Sequence, residues 1–395
     1  MIGALINDES EIFNLSNSDD VLTTVECLRD CNISIKLSNN NSVKILGRNL
    51  LSPTKILNCK NSGTTARLLL GLLAGQGISS EFTGDISLLG RPMKRIIDPL
   101  KIMGLDIESN NNKLPIKIKQ NKLKPIDYKI KTKSAQVKSA IIFAALGCEN
   151  YSDISYDPKT RDHTEKILNY LNCDFEMNSR LRIRKSTLNK GFSLTVPGDI
   201  SSASFIIAGA ILLPDSKIEI NDVLYNKTRL GFVDILKKMN ANICIKNISN
   251  DNFESTCTII ASYSPNLNSI NINSNNIIDL IDEIPILSIL ATQCKGMTVI
   301  DGIEELKYKE SDRAATIYRN LKNMNADIVY SGNKITIQGG NKLHNTTIIH
   351  ENDHRIAMSF ELLHLLLNNR LSYKFKNIIS VSFPDFYSKL DELIL

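Results

Sequence analysis

The sequence lacks most of the signatures that announce a function directly. Its eight cysteines (27, 31, 59, 148, 173, 244, 257 and 294) form no CxxC pair, and only Cys27 and Cys31 lie close together. With no histidine beside them, this spacing argues against a zinc site and for free thiols in a reducing cytoplasm. The longest apolar stretches, such as Ala203–Leu213, fall well short of the ~20 residues that a membrane span needs. No Walker A loop, dinucleotide fingerprint or metalloprotease motif occurs. Charge of one sign is also scarce: 47 Lys and Arg against 42 Asp and Glu leave a net +5, too mild for a nucleic-acid partner. What remains is ordinary globular material, 395 residues with 42% hydrophobic and 23% charged, enough for two or three domains and a large buried core.

A repeat organises that material. Leu28-Arg-Asp-Cys-Asn-Ile-Ser-Ile35 has counterparts beginning at Leu100, Leu168, Leu236 and Leu321. Successive starts are 72, 68, 68 and 85 residues apart (28→100→168→236→321). The fifth position of each copy is Asn32, Gly104, Asn172, Asn240 or Asn325, residue types that tolerate the left-handed conformation ending a helix. Behind several copies come two short strands around a polar turn, as in Asp327–Tyr330 and Ile335–Ile337. The unit therefore reads as a helix followed by a β-hairpin. A sixth copy is expected near the helix-like Phe386–Leu393. Six α/β units, three in each of two domains (1–195 and 196–395), is the expected architecture. Only 27 residues precede Leu28, so on repeat arithmetic the chain starts inside its first, truncated unit.

The polar segments that open the helices carry the candidate chemistry. Asn61-Ser-Gly-Thr-Thr-Ala-Arg67 precedes an apolar run, a pattern that turns backbone N–H groups towards an anion. Ordinary capping explains such a segment equally well, but Arg67 one turn inside favours a ligand. Gly84–Arg95 adds Arg91, Lys94 and Arg95 near another helix start, where cations oppose the helix dipole unless an anion is near. Lys133–Ser139 and Pro197–Ser204 have the same style, and Lys159–Glu165 opens another helix with Arg161 and His163 at its cap. Asp282-Glu283 opens an apolar helix, with capping and general-base readings both open. Lys309 and Arg313 are four apart, which on one helix would place them on one face, with Glu310 beside them. Asn352–Met358 delivers His354 and Arg355 to a further helix start. Together these starts describe a cleft for small phosphorylated or carboxylated molecules.

In order along the chain, Asn61–Arg67, Gly84–Arg95, Ser134–Ser139, Thr160–Glu165, Val196–Ser204, Ile281–Pro285, Lys309–Arg313 and Asp353–Met358 resemble segments of the 3-phosphoshikimate 1-carboxyvinyltransferase (EPSP synthase) family. The resemblance implies an α/β fold of two similar domains, each of three βαβαββ repeats. It implies transfer of the enolpyruvyl group of phosphoenolpyruvate to the 5-hydroxyl of shikimate 3-phosphate, releasing phosphate, in a cytoplasmic monomer with no metal or organic cofactor. Asp282 is then the base at the 5-hydroxyl and Glu310 a proton carrier at the methylene carbon. Ser134, Ala135 (through its backbone), Gln136, Arg161, Asp282 and Lys309 are implied to contact shikimate 3-phosphate. Gly63, Arg91, Gln136, Arg313 and Arg355 are implied to hold phosphoenolpyruvate, with His354 supporting Glu310.

The sequence departs from the family at three places. Ala135 and Glu305 replace a Ser and an Asn of some members, and Val381 stands where others have Lys. The family's Gly-Asp-Lys-Ser-x-Ser-x-Arg segment aligns ahead of Met1. Two readings follow from that alignment: a chain whose start lies upstream, or an inactive relative that binds phosphorylated ligands without turnover. A UDP-N-acetylglucosamine enolpyruvyl transferase would share the fold, but the Lys-Glu-Ser-Asp-Arg and Asp-His-Arg runs side with the shikimate enzyme.

Overall fold

The computed structural model describes residues 1–395 except 48, 49, 157–159, 178, 179, 187 and 395. The chain divides into two compact units, Met1–Val196 and Pro197–Leu395. After one 3₁₀ turn at Ile2–Leu5, the first unit runs through β1 (Glu9–Phe13), α1 (Asp19–Asp30), β2 (Ser34–Ser38) and β3 (Ser42–Leu46). It continues with β4 (Leu57–Asn58), α2 (Gly63–Gly75), β5 (Ser80–Thr83), α3 (Ile86–Gly90), α4 (Lys94–Ile102), β6 (Ile107–Asn110) and β7 (Lys113–Ile118). The same sequence returns as β8 (Asp127–Ile130), α5 (Ala135–Ala145), β9 (Ser152–Tyr156), α6 (His163–Tyr170), β10 (Phe175–Met177) and β11 (Leu181–Ile183), before β12 (Ser193–Thr195).

Each sheet of this unit has one plan: a parallel pair, then a hairpin added antiparallel with its second strand innermost. The orders are β4-β5-β7-β6 and β8-β9-β11-β10. The first sheet follows the plan as β12-β1-β3-β2, with β12 parallel to β1 in the register Glu11↔Ser193. The first repeat, expected to be truncated, has a four-stranded sheet of the same plan but one α-helix, α1, where the next two have an apolar and an amphipathic one. Its outer parallel strand arrives from the far end of the unit, a pairing no local pattern could reveal.

The second unit contains α7 (Ile200–Leu212), β13 (Lys217–Leu224), α8 (Gly231–Lys238), β14 (Asn242–Ser249) and β15 (Thr256–Ser262), then β16 (Asn271–Ile272), α9 (Ile284–Thr292), β17 (Met297–Asp301), α10 (Arg313–Asn323), β18 (Asp327–Ser331) and β19 (Lys334–Gln338). Its sheets are β13-β15-β14, extended by a single parallel bridge between Gly198 and Val223, and β16-β17-β19-β18. Residues 339–394 then hold α11 (His354–Asn368), α12 (Lys376–Ile379) and α13 (Phe386–Ile394), with no strand among the described residues. A helix does form at Phe386, but the third strand-bearing repeat expected in this unit is replaced by helices, with α13 packing Phe386 on Phe205 of α7 and Tyr387 on Tyr373.

The left-handed stops are all present: φ is +66° at Asn32, +92° at Gly104, +53° at Asn172, +63° at Asn240 and +70° at Asn325. Each ends an amphipathic helix and reverses the chain into a hairpin. Every repeat but the first also has a helix that is apolar on nearly every face and lies within the core. In the first unit these are α2 and α5, and in the second α7, α9 and α11. Seven of the eight cysteines are buried, whereas Cys244 is exposed on β14. Among the described residues no helix is long and apolar enough to cross a membrane.

Backbones of α2 and α5 touch directly. A Cβ added at Gly71 would lie 2.1 Å from the Ala140 carbonyl oxygen. Gly71→Ala must push the two helices apart, and is expected to cost about 2–3 kcal/mol in chemical denaturation. A variant as stable as the parent would show that this approach is not tight.

Candidate active site

The buried helices begin with polar residues, and the candidate side chains gather there. In the first unit the Ser62 hydroxyl caps α2 by accepting the Thr65 N–H at 3.2 Å. One turn in, Arg67 Nη1 donates to Gln136 Oε1 at 2.8 Å, and Gln136 Nε2 donates to Thr64 Oγ1 at 2.8 Å. Gln136 therefore joins the starts of α5 and α2. Arg91 follows α3 and is 8% exposed; its Nη2 donates to Asn61 Oδ1 at 2.8 Å and Ser87 Oγ at 3.3 Å. Asn61 is itself held, donating to Asp85 Oδ2 at 2.6 Å. Between the guanidiniums lies Gly63: a Cβ there would be 2.6 Å from Arg67 Nη1 and 3.2 Å from Arg91 Nη1. Two guanidiniums meeting at a helix N-terminus repel one another and the dipole, so the arrangement suits an anion.

Ser134 caps α5, accepting the Val137 N–H at 3.5 Å, and Ala135 is the first helical residue. Arg161 lies half-buried just before α6, which begins at His163 without a side-chain cap.

The second unit builds its cluster around Arg313, 1% exposed at the start of α10. Its Nε donates to Asp353 Oδ2 at 2.7 Å, its Nη1 to Asp282 Oδ1 at 3.2 Å and its Nη2 to Glu310 Oε2. Burial disfavours the charged guanidinium, but Asp353, Glu310 and Asp282 more than offset it and raise its pKa above the ordinary value. Lys309 Nζ donates to the same Asp282 Oδ1 at 2.9 Å, and Arg355 Nη1 donates to the Asp282 carbonyl oxygen at 3.3 Å. Asp353 also caps α11 through the Arg355 and Ile356 N–H groups and accepts the Ser311 hydroxyl. His354 lies next to it. Burial, with help from the Arg355 charge, pushes its pKa down to about 4, so the imidazole is neutral at physiological pH.

Two sequence expectations change here. Lys309 and Arg313 do not share a helical face: Lys309 ends a 3₁₀ turn at Glu304–Tyr308 and Arg313 opens α10. They meet instead on one carboxylate oxygen of Asp282. Nor do Asp282 and Glu283 cap α9 with their side chains; Asp282 lies in the preceding 3₁₀ segment, Ile277–Glu283. Glu283 is 1% exposed and accepts the Ser201 hydroxyl, which in turn accepts Arg229 Nη2 at 2.6 Å. These hydrogen bonds fix the residue beside Asp282; sequence reasoning offered Glu283 as a cap or base and Ser201 only as part of a polar helix start, and it missed Arg229. Asp353, quoted only as part of a motif, is the carboxylate on which Arg313, Ser311 and α11 converge.

The family model described as EPSP synthase (3-phosphoshikimate 1-carboxyvinyltransferase) matches residues 1–390. Among similar proteins, the 3-phosphoshikimate 1-carboxyvinyltransferase of Persephonella marina is 38% identical over 100% of this chain and 93% of its own length. That of Caldicellulosiruptor saccharolyticus is 41% identical over 99% and 92%. The structure of EPSP synthase from Acinetobacter baumannii, 33% identical, superposes with a TM-score of 0.84 over 99% of this chain and 91% of its own. The enolpyruvyl transferase NikO from Streptomyces tendae, 14% identical over 99% of this chain and 90% of its own, shares the fold with a TM-score of 0.72.

The lowered His354 pKa has a consequence for acid stability. Unfolded, this imidazole takes a proton near pH 6.5, whereas folded it resists until about pH 4. Its contribution is therefore complete above pH 6.5 and lost as the pH falls towards 4. Replacing it (His354→Gln) is expected to reduce the loss of stability between pH 7 and pH 4.5 by on the order of 2 kcal/mol, measured by urea denaturation. Parallel pH dependences in the two proteins would mean that His354 is solvated.

Proposed function

The chain belongs to the EPSP synthase family, and on that footing we infer that it transfers the enolpyruvyl group of phosphoenolpyruvate to the 5-hydroxyl of shikimate 3-phosphate, releasing phosphate. It is a transferase of the shikimate pathway and of aromatic amino-acid biosynthesis. The observation that carries this reading is likeness over the whole chain to curated enzymes of that activity. In the reaction the hydroxyl oxygen adds to the central carbon of phosphoenolpyruvate while its methylene is protonated. The tetrahedral adduct then loses phosphate by carbon–oxygen cleavage as the added methyl proton leaves. Such chemistry needs proton transfer and charge stabilisation only, so the reading assigns no metal or organic cofactor, and one cytoplasmic monomer supplies every residue named here.

Asp282 is assigned as the base for the 5-hydroxyl. Its Oδ1 accepts the Lys309 ammonium and the Arg313 guanidinium, which orient the carboxylate, and Arg355 on its own carbonyl fixes its backbone. Lys309, Ser134, Ala135 and Arg161 are assigned to shikimate 3-phosphate, with Gln136 reaching both substrates. Arg91, with Gly63 beside it, is assigned to phosphoenolpyruvate, as are Arg313 and Arg355. Glu310, paired with Arg313 and close enough to His354 to affect its charge, is assigned to proton transfer at the methylene carbon. Pre-set guanidinium forks stabilise carboxylate and phosphate charge without reorganising.

The test is phosphate release by the purified chain from phosphoenolpyruvate. Release is expected only when shikimate 3-phosphate is present; absence of release with both substrates would sink the reading. Asp282→Asn is expected to lower kcat about 10²–10⁴-fold, and an unchanged kcat would remove Asp282 as the base. Gly63→Ala puts a methyl group against Arg67 and Arg91. It is expected to raise KM for phosphoenolpyruvate about tenfold or more and KM for shikimate 3-phosphate much less; equal rises in both would contradict the assignment of Arg91.

A further inference from the structure

Lys138 lies on α5, two residues beyond Gln136, and its side chain is 1% exposed. Lysine stems normally carry their ammonium out to water. This ammonium stays inside, and among the described residues its side-chain partners belong to the segment that carries Arg161. Its Nζ is 2.5 Å from Glu165 Oε1, whose side chain is 2% exposed on α6. It donates to the Thr160 carbonyl oxygen at 3.5 Å and lies 4.5 Å from the ring centre of Tyr156, at the end of β9. The Tyr156 hydroxyl donates to the same Glu165 oxygen at 3.2 Å. One residue along, the hydroxyls of Ser139 and Thr164 form a second link between α5 and α6, at 2.7 Å.

We infer that the buried Lys138–Glu165 pair positions Arg161 against the N-terminal end of α5. Arg161 stands directly after Thr160 and four residues before Glu165, so the ammonium holds the chain on both sides of it. At the other end, the Lys138 N–H donates to the Ser134 carbonyl at 3.3 Å within the first turn of α5. Ser134, Ala135 and Gln136 are thereby set relative to Arg161 by one residue. Stability alone gives little reason for such a pair, because a buried ion pair gains little over well-packed apolar residues of similar volume. A fixed distance between two anion-binding elements is what an apolar pair would not hold, because apolar contacts carry no direction. The role rests on the assignment of Arg161 to shikimate 3-phosphate, and the test separates the two.

Binding of shikimate 3-phosphate to the full chain is measured by calorimetry for the parent, Arg161→Ala, Glu165→Gln and the double variant. Glu165→Gln keeps the shape and a hydrogen-bond acceptor, so it is preferred to Lys138→Met, which strands a buried carboxylate. Arg161→Ala is expected to weaken binding about ten- to a hundredfold and Glu165→Gln about three- to tenfold. The double variant is expected to match Arg161→Ala within about twofold, because a positioning pair has nothing left to position once Arg161 is gone. Multiplying effects in the double variant, or a Glu165→Gln variant that melts earlier but binds like the parent, would overturn the positioning role and leave the Arg161 assignment intact. Unchanged binding in Arg161→Ala would overturn the assignment and the positioning role with it.

Discussion

A guanidinium at 1% exposure has to be surrounded by negative charge, and much of the second unit's site follows from meeting that requirement for Arg313. Three carboxylates reach it from three places in the sequence: Asp282 ahead of α9, Glu310 before α10 and Asp353 at the cap of α11. Satisfying one buried charge therefore fixes the starts of three helices with respect to one another. Lys309 and Arg355 then attach to Asp282, and their positive charges counter the excess of carboxylate. The group assigned as the base is held on its side chain and on its own carbonyl, so its direction is set before any substrate arrives.

In the first unit the constraint is steric rather than ionic. Gly63 leaves the start of α2 open between Arg67 and Arg91, and each arginine is steered by an amide: Gln136 from α5, and Asn61 from the turn before α2. Amide partners orient a guanidinium without neutralising it. Arg313, by contrast, is met by three carboxylates. The two clusters thus differ in kind: amides orient the guanidiniums of one, and carboxylates surround that of the other.

The repeat explains why polar groups collect in this way. The first repeat has only an amphipathic helix, α1, whereas each later one has a helix that is apolar almost all round. The buried helix shows polar character mainly at its N-terminal end, where N–H groups lack intrahelical partners. Ser62, Ser134, Asp199 and Asp353 meet those N–H groups at four of the five buried helices. The fifth, α9, starts without a side-chain cap, and there Glu283 turns to Ser201 instead.

Local signals made much of this legible. The five left-handed stops, the hairpins behind them and the polar helix starts depend on contacts within a few residues, so residue type and spacing were enough to predict them. The eight motifs carried the family resemblance in the same way. Tertiary structure alone decided the rest, because pairing across long stretches of chain leaves no periodic trace. It placed β12 beside β1 across 182 residues at the Glu11↔Ser193 register, completing a sheet that repeat counting left short. It also replaced the expected sixth strand-bearing repeat with helices, brought Lys309 and Arg313 onto one oxygen of Asp282 rather than one helical face, and buried Lys138 against Glu165. A lysine in a sequence reads as exposed until the fold supplies a carboxylate to meet it. Residue types determined which charges were present, and packing determined which of them had to face each other.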